Sequence, residues 1–172
     1  MRRSQWGACL GLVALAGCAY GFAGGGLPPG IRTVAVQPFE NQTTDPTIAQ
    51  QVNRTIRDAM EQRLGLRIVA ESQADAIVTG TVRLYEPDQP VGYRGTGAAN
   101  GSQRGGTVEV SKRLLRLTID LSMVERSTDK ALLRQRTFPA DAQYDPGREA
   151  EGRRTALELL VNALVKEAQS QW

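Results

Sequence analysis

The sequence predicts an α+β fold: a two-layer sandwich in which a mixed β-sheet carries two α-helices on one face. Three observations lead there. Segments 47–64 and 147–170 repeat apolar residues at helical spacing. Five further segments are rich in β-branched and apolar residues and are bounded by glycine, proline or polar turns. In chain order these give β-α-β-β-β-β-α, with too few helices to cover both sheet faces.

Each element has its own signal. Residues 31–37 lie between Gly30 and Pro38 and are apolar on both faces, which predicts an inner strand. A polar loop over 38–46 ends in Asp45-Pro46, an N-cap followed by proline at the first helical position. Ile48, Val52, Ile56, Ala59, Met60 and Leu64 then share one helix face, and Gly65 supplies the stop. Residues 66–70 predict a second strand. Residues 76–85 predict a third, with Val78, Val82 and Leu84 on one face and Thr79, Thr81 and Arg83 on the other.

Residues 86–106 break the alternation. They hold Pro87, Pro90 and a glycine-rich run from 92 to 106, which predicts a long mobile loop. The strand over 108–126 follows. Leu115, Leu117, Ile119, Leu121 and Met123 are odd-numbered, whereas Val108 and Val110 are even. That switch predicts a β-bulge near Leu114-Leu115. A turn at 127–130 leads into a strand over 131–138. Leu157, Leu160, Val161, Leu164 and Ala168 form the apolar stripe of the last helix.

The N-terminus reads as a processed leader. Met1-Arg2-Arg3 is positive, and residues 8–16 are apolar but too few to span a bilayer, which takes about 20. Leu15-Ala16-Gly17-Cys18 then matches the lipobox of bacterial lipoproteins. The expected organisation is a signal peptide over 1–17, a lipidated Gly/Pro tether over 18–30, and one domain over 31–172. Cys18 is the expected lipid site, and its thiol carries the acyl anchor to the membrane. Ala19, rather than Asp, favours the outer membrane.

Composition narrows the function. The chain has 21 basic and 18 acidic residues, and removing Arg2 and Arg3 leaves 19 against 18. A nucleic-acid binder keeps a stronger basic excess. With no histidine, and Cys9 and Cys18 both at or before the lipid site, the mature domain lacks a Cys nucleophile, a His base and a thiolate metal site. No phosphate-loop, dinucleotide or nucleophile-elbow motif is present, so neither an enzyme nor a cofactor is expected. The suggestive residues are basic. Arg94 and Arg104 fall in the glycine-rich run, and Lys112, Arg113 and Arg116 follow, with only Glu109 as an acid among them. One reading is a site for an anionic ligand. The other is a solvated strand end whose charge resists edge pairing.

Several segments together resemble the LptE-type lipopolysaccharide-assembly lipoproteins of the outer membrane. They are Gly17-Cys18-Ala19-Tyr20-Gly21-Phe22, then Leu27-Pro28-Pro29-Gly30-Ile31-Arg32-Thr33-Val34-Ala35-Val36, the stretch from Pro38 to Pro46, and Ala74-Asp75-Ala76-Ile77-Val78-Thr79-Gly80-Thr81-Val82. The resemblance implies a protein that plugs and helps assemble the LptD β-barrel and binds lipopolysaccharide on its way to the surface. Beside it, the basic run itself makes Arg94, Arg104, Lys112, Arg113 and Arg116 candidates for phosphate contact, and no ligand-binding residue of the family is carried over onto the run from 92 to 106. Val34-Ala35-Val36-Gln37-Pro38-Phe39-Glu40-Asn41 is also similar to a strand of other envelope lipoproteins, among them activators of peptidoglycan synthases, and that is the alternative.

Overall fold

The computed structural model describes residues 27, 28, 30–95 and 108–170. Its elements are β1 (Thr33–Val36), β2 (Glu40–Asn41), α1 (Ile48–Gln62), β3 (Arg67–Ile68), β4 (Ala76–Gly95), β5 (Val108–Glu125), β6 (Ala131–Tyr144) and α2 (Glu149–Ser170). This is the expected α+β order with one short strand, β2, added. The sheet runs β3-β1-β4-β5-β6, open at both edges, and β2 continues the line of β1 along β4. β1 is parallel to β3 and β4, while β4, β5 and β6 pair antiparallel. All four residues of β1 are buried, as an inner strand requires.

The helices begin and end where local chemistry dictates. Thr47, not the expected Asp45, is the N-cap of α1 and makes no side-chain cap bond; Asp45 Oδ1 instead accepts the Thr47 N–H at 2.8 Å and the Thr47 hydroxyl at 2.7 Å, holding the turn ahead of the helix. Gly65 takes φ +67°, a left-handed turn that glycine adopts without strain, and Leu66 N–H donates back to Met60 O at 2.9 Å. Ile48, Val52, Ile56 and Met60 of α1 join Leu160 and Leu164 of α2 over Val78, Val82, Leu117, Ile119 and Leu121. Each such side chain contributes about 1.5–3 kcal/mol on burial. Asp75 ties the sheet together ahead of β4. Its Oδ2 accepts the N–H groups of Arg32 and Thr33 at 3.0 and 2.9 Å and the Thr33 hydroxyl at 2.8 Å.

Four expectations need correction. The loop expected from residue 86 is strand as far as Gly95, paired with β5. Pro87 and Pro90 are accommodated because β4 has no neighbour on its other side beyond Val82, so its missing N–H groups cost no ladder bond. The register shift expected near Leu114-Leu115 is present, but its extra residue is on β4, where Glu86–Gln89 oppose Arg116–Leu114; β5 is itself bulged at Ser111, and other shifts fall along β4 at 82–84 and 90–92. The shift at Arg83 reverses the alternation, so Tyr85 faces the core and Leu84 is exposed. Finally, β6 extends past Phe138 to Tyr144, since an edge strand tolerates Pro139.

Candidate functional site

β4 and β5 outrun the rest of the sheet. β6 is last matched to β5 at Arg113↔Tyr144, and beyond it Gly92–Gly95 and Val108–Lys112 form a two-stranded ribbon. Its register sorts side chains by face. Tyr93 lies opposite Val110, and Gly95 opposite Val108, giving one apolar face. Tyr93 and Val108 are 61% and 69% exposed, so nothing in the described domain covers it. Arg94 opposite Glu109, and Gly92 opposite Lys112, give the charged face. A glycine is required at 92, because a β-carbon there would meet the Lys112 side chain and the Ser111 hydroxyl.

The structure therefore gathers Arg94, Lys112, Arg113 and Arg116 at one end of the sheet. Arg104 and Cys18 lie outside the described residues. The fold also brings acids that the local sequence does not reveal. Lys112 Nζ lies 2.6 Å from Asp145 Oδ1, Arg113 pairs with Asp88, and Arg116 Nε lies 3.8 Å from Asp141 Oδ2. The expectation of a region with Glu109 as its only acid is thus corrected. Antiparallel pairing and the segment after β6 return three aspartates to three of the cations. The acids were visible in the sequence, but only the register of β4, β5 and β6 places them here.

These contacts set the local ionisation. Lys112 holds the Asp145 carboxyl below the usual carboxylate range, and the hydrogen bond to Asp88 raises the Arg113 pKa. Burial pushes the Tyr144 phenol up, and the nearby Asp88 charge adds to it. Tyr144 OH donates to Pro87 O at 2.5 Å, pinning the irregular stretch of β4. Its ring also rests where a side chain on Gly152 of α2 would sit. The base of the ribbon is locked to the helical layer through this one side chain.

The helix-free face of the sheet is polar. The Thr79 and Ser122 hydroxyls lie 2.8 Å apart, and Asp120 accepts Thr137 Oγ1 at 2.7 Å and pairs with Arg83 Nε at 3.1 Å. Between α1 and α2 a groove of about 520 Å³ is lined by Thr55, Ala59, Arg63, Leu157 and Val161 among others. Among the described residues no cluster of carboxylates is arranged to hold a metal ion, and no helix is long and apolar enough to cross a membrane.

Fold and surface define a single α+β scaffold with a protruding two-faced ribbon. The same fold occurs in protein XCC0632 from Xanthomonas campestris, with a TM-score of 0.53, 10% identity, and 81% of this chain and 82% of that chain covered. PelC from Paraburkholderia phytofirmans is similar at a TM-score of 0.47 and 11% identity, covering 81% of this chain and 88% of that one. Lipoprotein GNA1162 from Neisseria meningitidis is similar at 0.45 and 13%, covering 78% and 96%. No curated protein matches. The family model for LptE, lipopolysaccharide-assembly, matches residues 31–171. The chain belongs to the LptE family of lipopolysaccharide-assembly proteins.

Proposed function

We propose that this chain is an outer-membrane lipoprotein, anchored through Cys18, that plugs and helps assemble an LptD-type lipopolysaccharide-export barrel and assists lipopolysaccharide transport to the cell surface. The family match over residues 31–171 is the observation that carries the reading. The surface supports it. The lumen of an outer-membrane barrel is polar, and the helix-free sheet face offers Thr79, Thr81, Ser122 and Thr137 to such a wall. The role is binding and assembly, with no catalysed reaction. Its tether begins at a lipid whose acyl chains each add about 0.8 kcal/mol per buried CH₂.

In this reading Arg94, Arg104, Lys112, Arg113 and Arg116 contact the phosphates of lipopolysaccharide. Those phosphates compete with Asp88, Asp141 and Asp145 for the same cations, which makes binding weaker and sensitive to salt. Purification from membranes in mild detergent tests the assignment. Co-elution with a large β-barrel is expected. Co-elution with a peptidoglycan synthase instead would move the chain to the activator class. A fatty-acid analogue should label the wild type and leave Cys18→Ser unlabelled.

A further inference from the structure

A different pair of cations has no carboxylate beside it. Arg54 and Arg57 sit three residues apart on α1, a spacing that places both on one helix face. Among the described residues neither has a carboxylate within 4 Å, in contrast to Lys112, Arg113 and Arg116. Both line a pocket of about 390 Å³ with Pro38, Phe39, Ala49, Gln50 and Asn53. No acid is among its lining residues.

The pocket is built before any ligand arrives. Arg57 Nη2 donates to Val36 O at 2.7 Å, and Arg57 Nε donates to Asn53 Oδ1 at 3.1 Å. Asn53 Nδ2 in turn donates to Gln37 O at 2.7 Å. These bonds fix the guanidinium plane against the end of β1 and leave Nη1 without a partner among the described residues. A guanidinium held in this way loses little entropy when it binds an anion. Phe39 is itself held, since its ring packs where a side chain on Gly80 would lie. Exposed Pro38, backed by the nearly buried Phe39 and Ala49, gives the pocket an apolar side beside its cations.

We infer that this pocket binds a phosphorylated saccharide headgroup. The phosphate meets Arg54 and Arg57, and the C–H face of the sugar lies on the exposed Pro38 ring. Two arginines suit the geometry of phosphate oxygens. The volume exceeds what a phosphate alone fills, and the apolar wall gives a sugar ring a surface. The phosphate site stands on the geometry of α1 and β1, while its assignment to a lipid-linked headgroup rests on the proposed function.

The full chain in mild detergent is titrated calorimetrically with glucosamine 6-phosphate, glucosamine and inorganic phosphate. Glucosamine 6-phosphate is expected to bind, inorganic phosphate to bind about tenfold more weakly, and glucosamine not to bind. Arg54→Gln should weaken the sugar phosphate by about tenfold with an unchanged melting temperature, because Arg54 is exposed and bonds nothing among the described residues. Arg57→Gln also frees Val36 O, so it serves only as a second variant, with its fold checked by melting. Absence of binding by glucosamine 6-phosphate, or undiminished affinity in Arg54→Gln, overturns the pocket. Equal affinity for inorganic phosphate overturns the saccharide part. Monophosphoryl lipid A in the same detergent is expected to compete, and failure to compete would overturn the lipid-linked assignment. Co-elution with a barrel is read separately, so the pocket and the plug can fail independently.

Discussion

Lys112 Nζ donates to Asp145 Oδ1 at 2.6 Å, joining the start of β5 to the segment that leads from β6 into α2. Both side chains are about half exposed, so the pair adds little to stability. Its effect is on charge: each cation of the ribbon base that is paired has less of its field available to a ligand.

That balance gives the first prediction. Replacing Lys112 and Arg113 together by Gln leaves Asp145 and Asp88 without their cations. Lipopolysaccharide binding by the full chain should weaken, and the wild type's own binding should weaken as salt rises above about 0.1 M. The melting temperature should stay close to that of the wild type. Binding isotherms on wild type and double variant at two salt concentrations decide it, and equal affinities would remove the ribbon base from the ligand site.

Core positions should respond very differently. Leu117 on β5 is 1% exposed and Leu160 on α2 is 0% exposed, and they lie on opposite sides of the interface between the layers. Leu117→Asp or Leu160→Asp buries an unpaired charge, at a cost of several kcal/mol. Thermal melts of each variant should show loss of cooperative unfolding or a fall of many degrees. An unchanged melt would show that the buried face is wrongly assigned.

Asp75 makes stability depend on acid. The backbone N–H of Arg32, with the Thr33 hydroxyl and N–H, holds its carboxyl below the ordinary value of 3.8. The unfolded chain therefore takes up the proton at a higher pH than the folded one. The stabilisation is fully present above about pH 4 and is lost as pH falls through the lowered native value. Asp75→Asn should cost about 1–2 kcal/mol at pH 7, and the gap from wild type should narrow below about pH 4. Melting curves of both proteins across that range test it, and a gap independent of pH would contradict it.

The contrast between these sites shows what the sequence makes legible. Periodicity located both helices and the core positions of β5, because burial there repeats with a fixed period, while the unbroken apolar run between Gly30 and Pro38 located β1. Stretches of the sheet that escape the period were hidden. Pro87 and Pro90 look like loop punctuation, yet β4 runs through them because its far edge is open. β2 is too short and polar to have a pattern. At the candidate site Arg94, Lys112, Arg113 and Arg116 were visible as a run of cations. Their neutralisation was not, since Asp88, Asp141 and Asp145 arrive from 25 to 33 residues away in sequence through strand register and the segment after β6.

Gly152 offers a test of how the ribbon base is held. A side chain there would run into the Tyr144 ring, whose hydroxyl bonds Pro87 O. Gly152→Ala should destabilise the domain by about 1–3 kcal/mol despite alanine's better helix propensity. Hydrogen exchange should speed up in β4 around residues 86–90. Stabilisation by the alanine would mean that Tyr144 has room to move.

The central claim is that the domain sits inside a barrel, surrounded on several sides. Photo-crosslinking residues placed one at a time at Tyr93 on the ribbon, Arg134 on the β6 edge and Glu158 on α2 sample three separate exposed surfaces. Crosslinking in intact cells should yield the same LptD-type barrel adduct from all three positions. Capture of a barrel from none of them, or of a peptidoglycan synthase from a single face, would contradict the account.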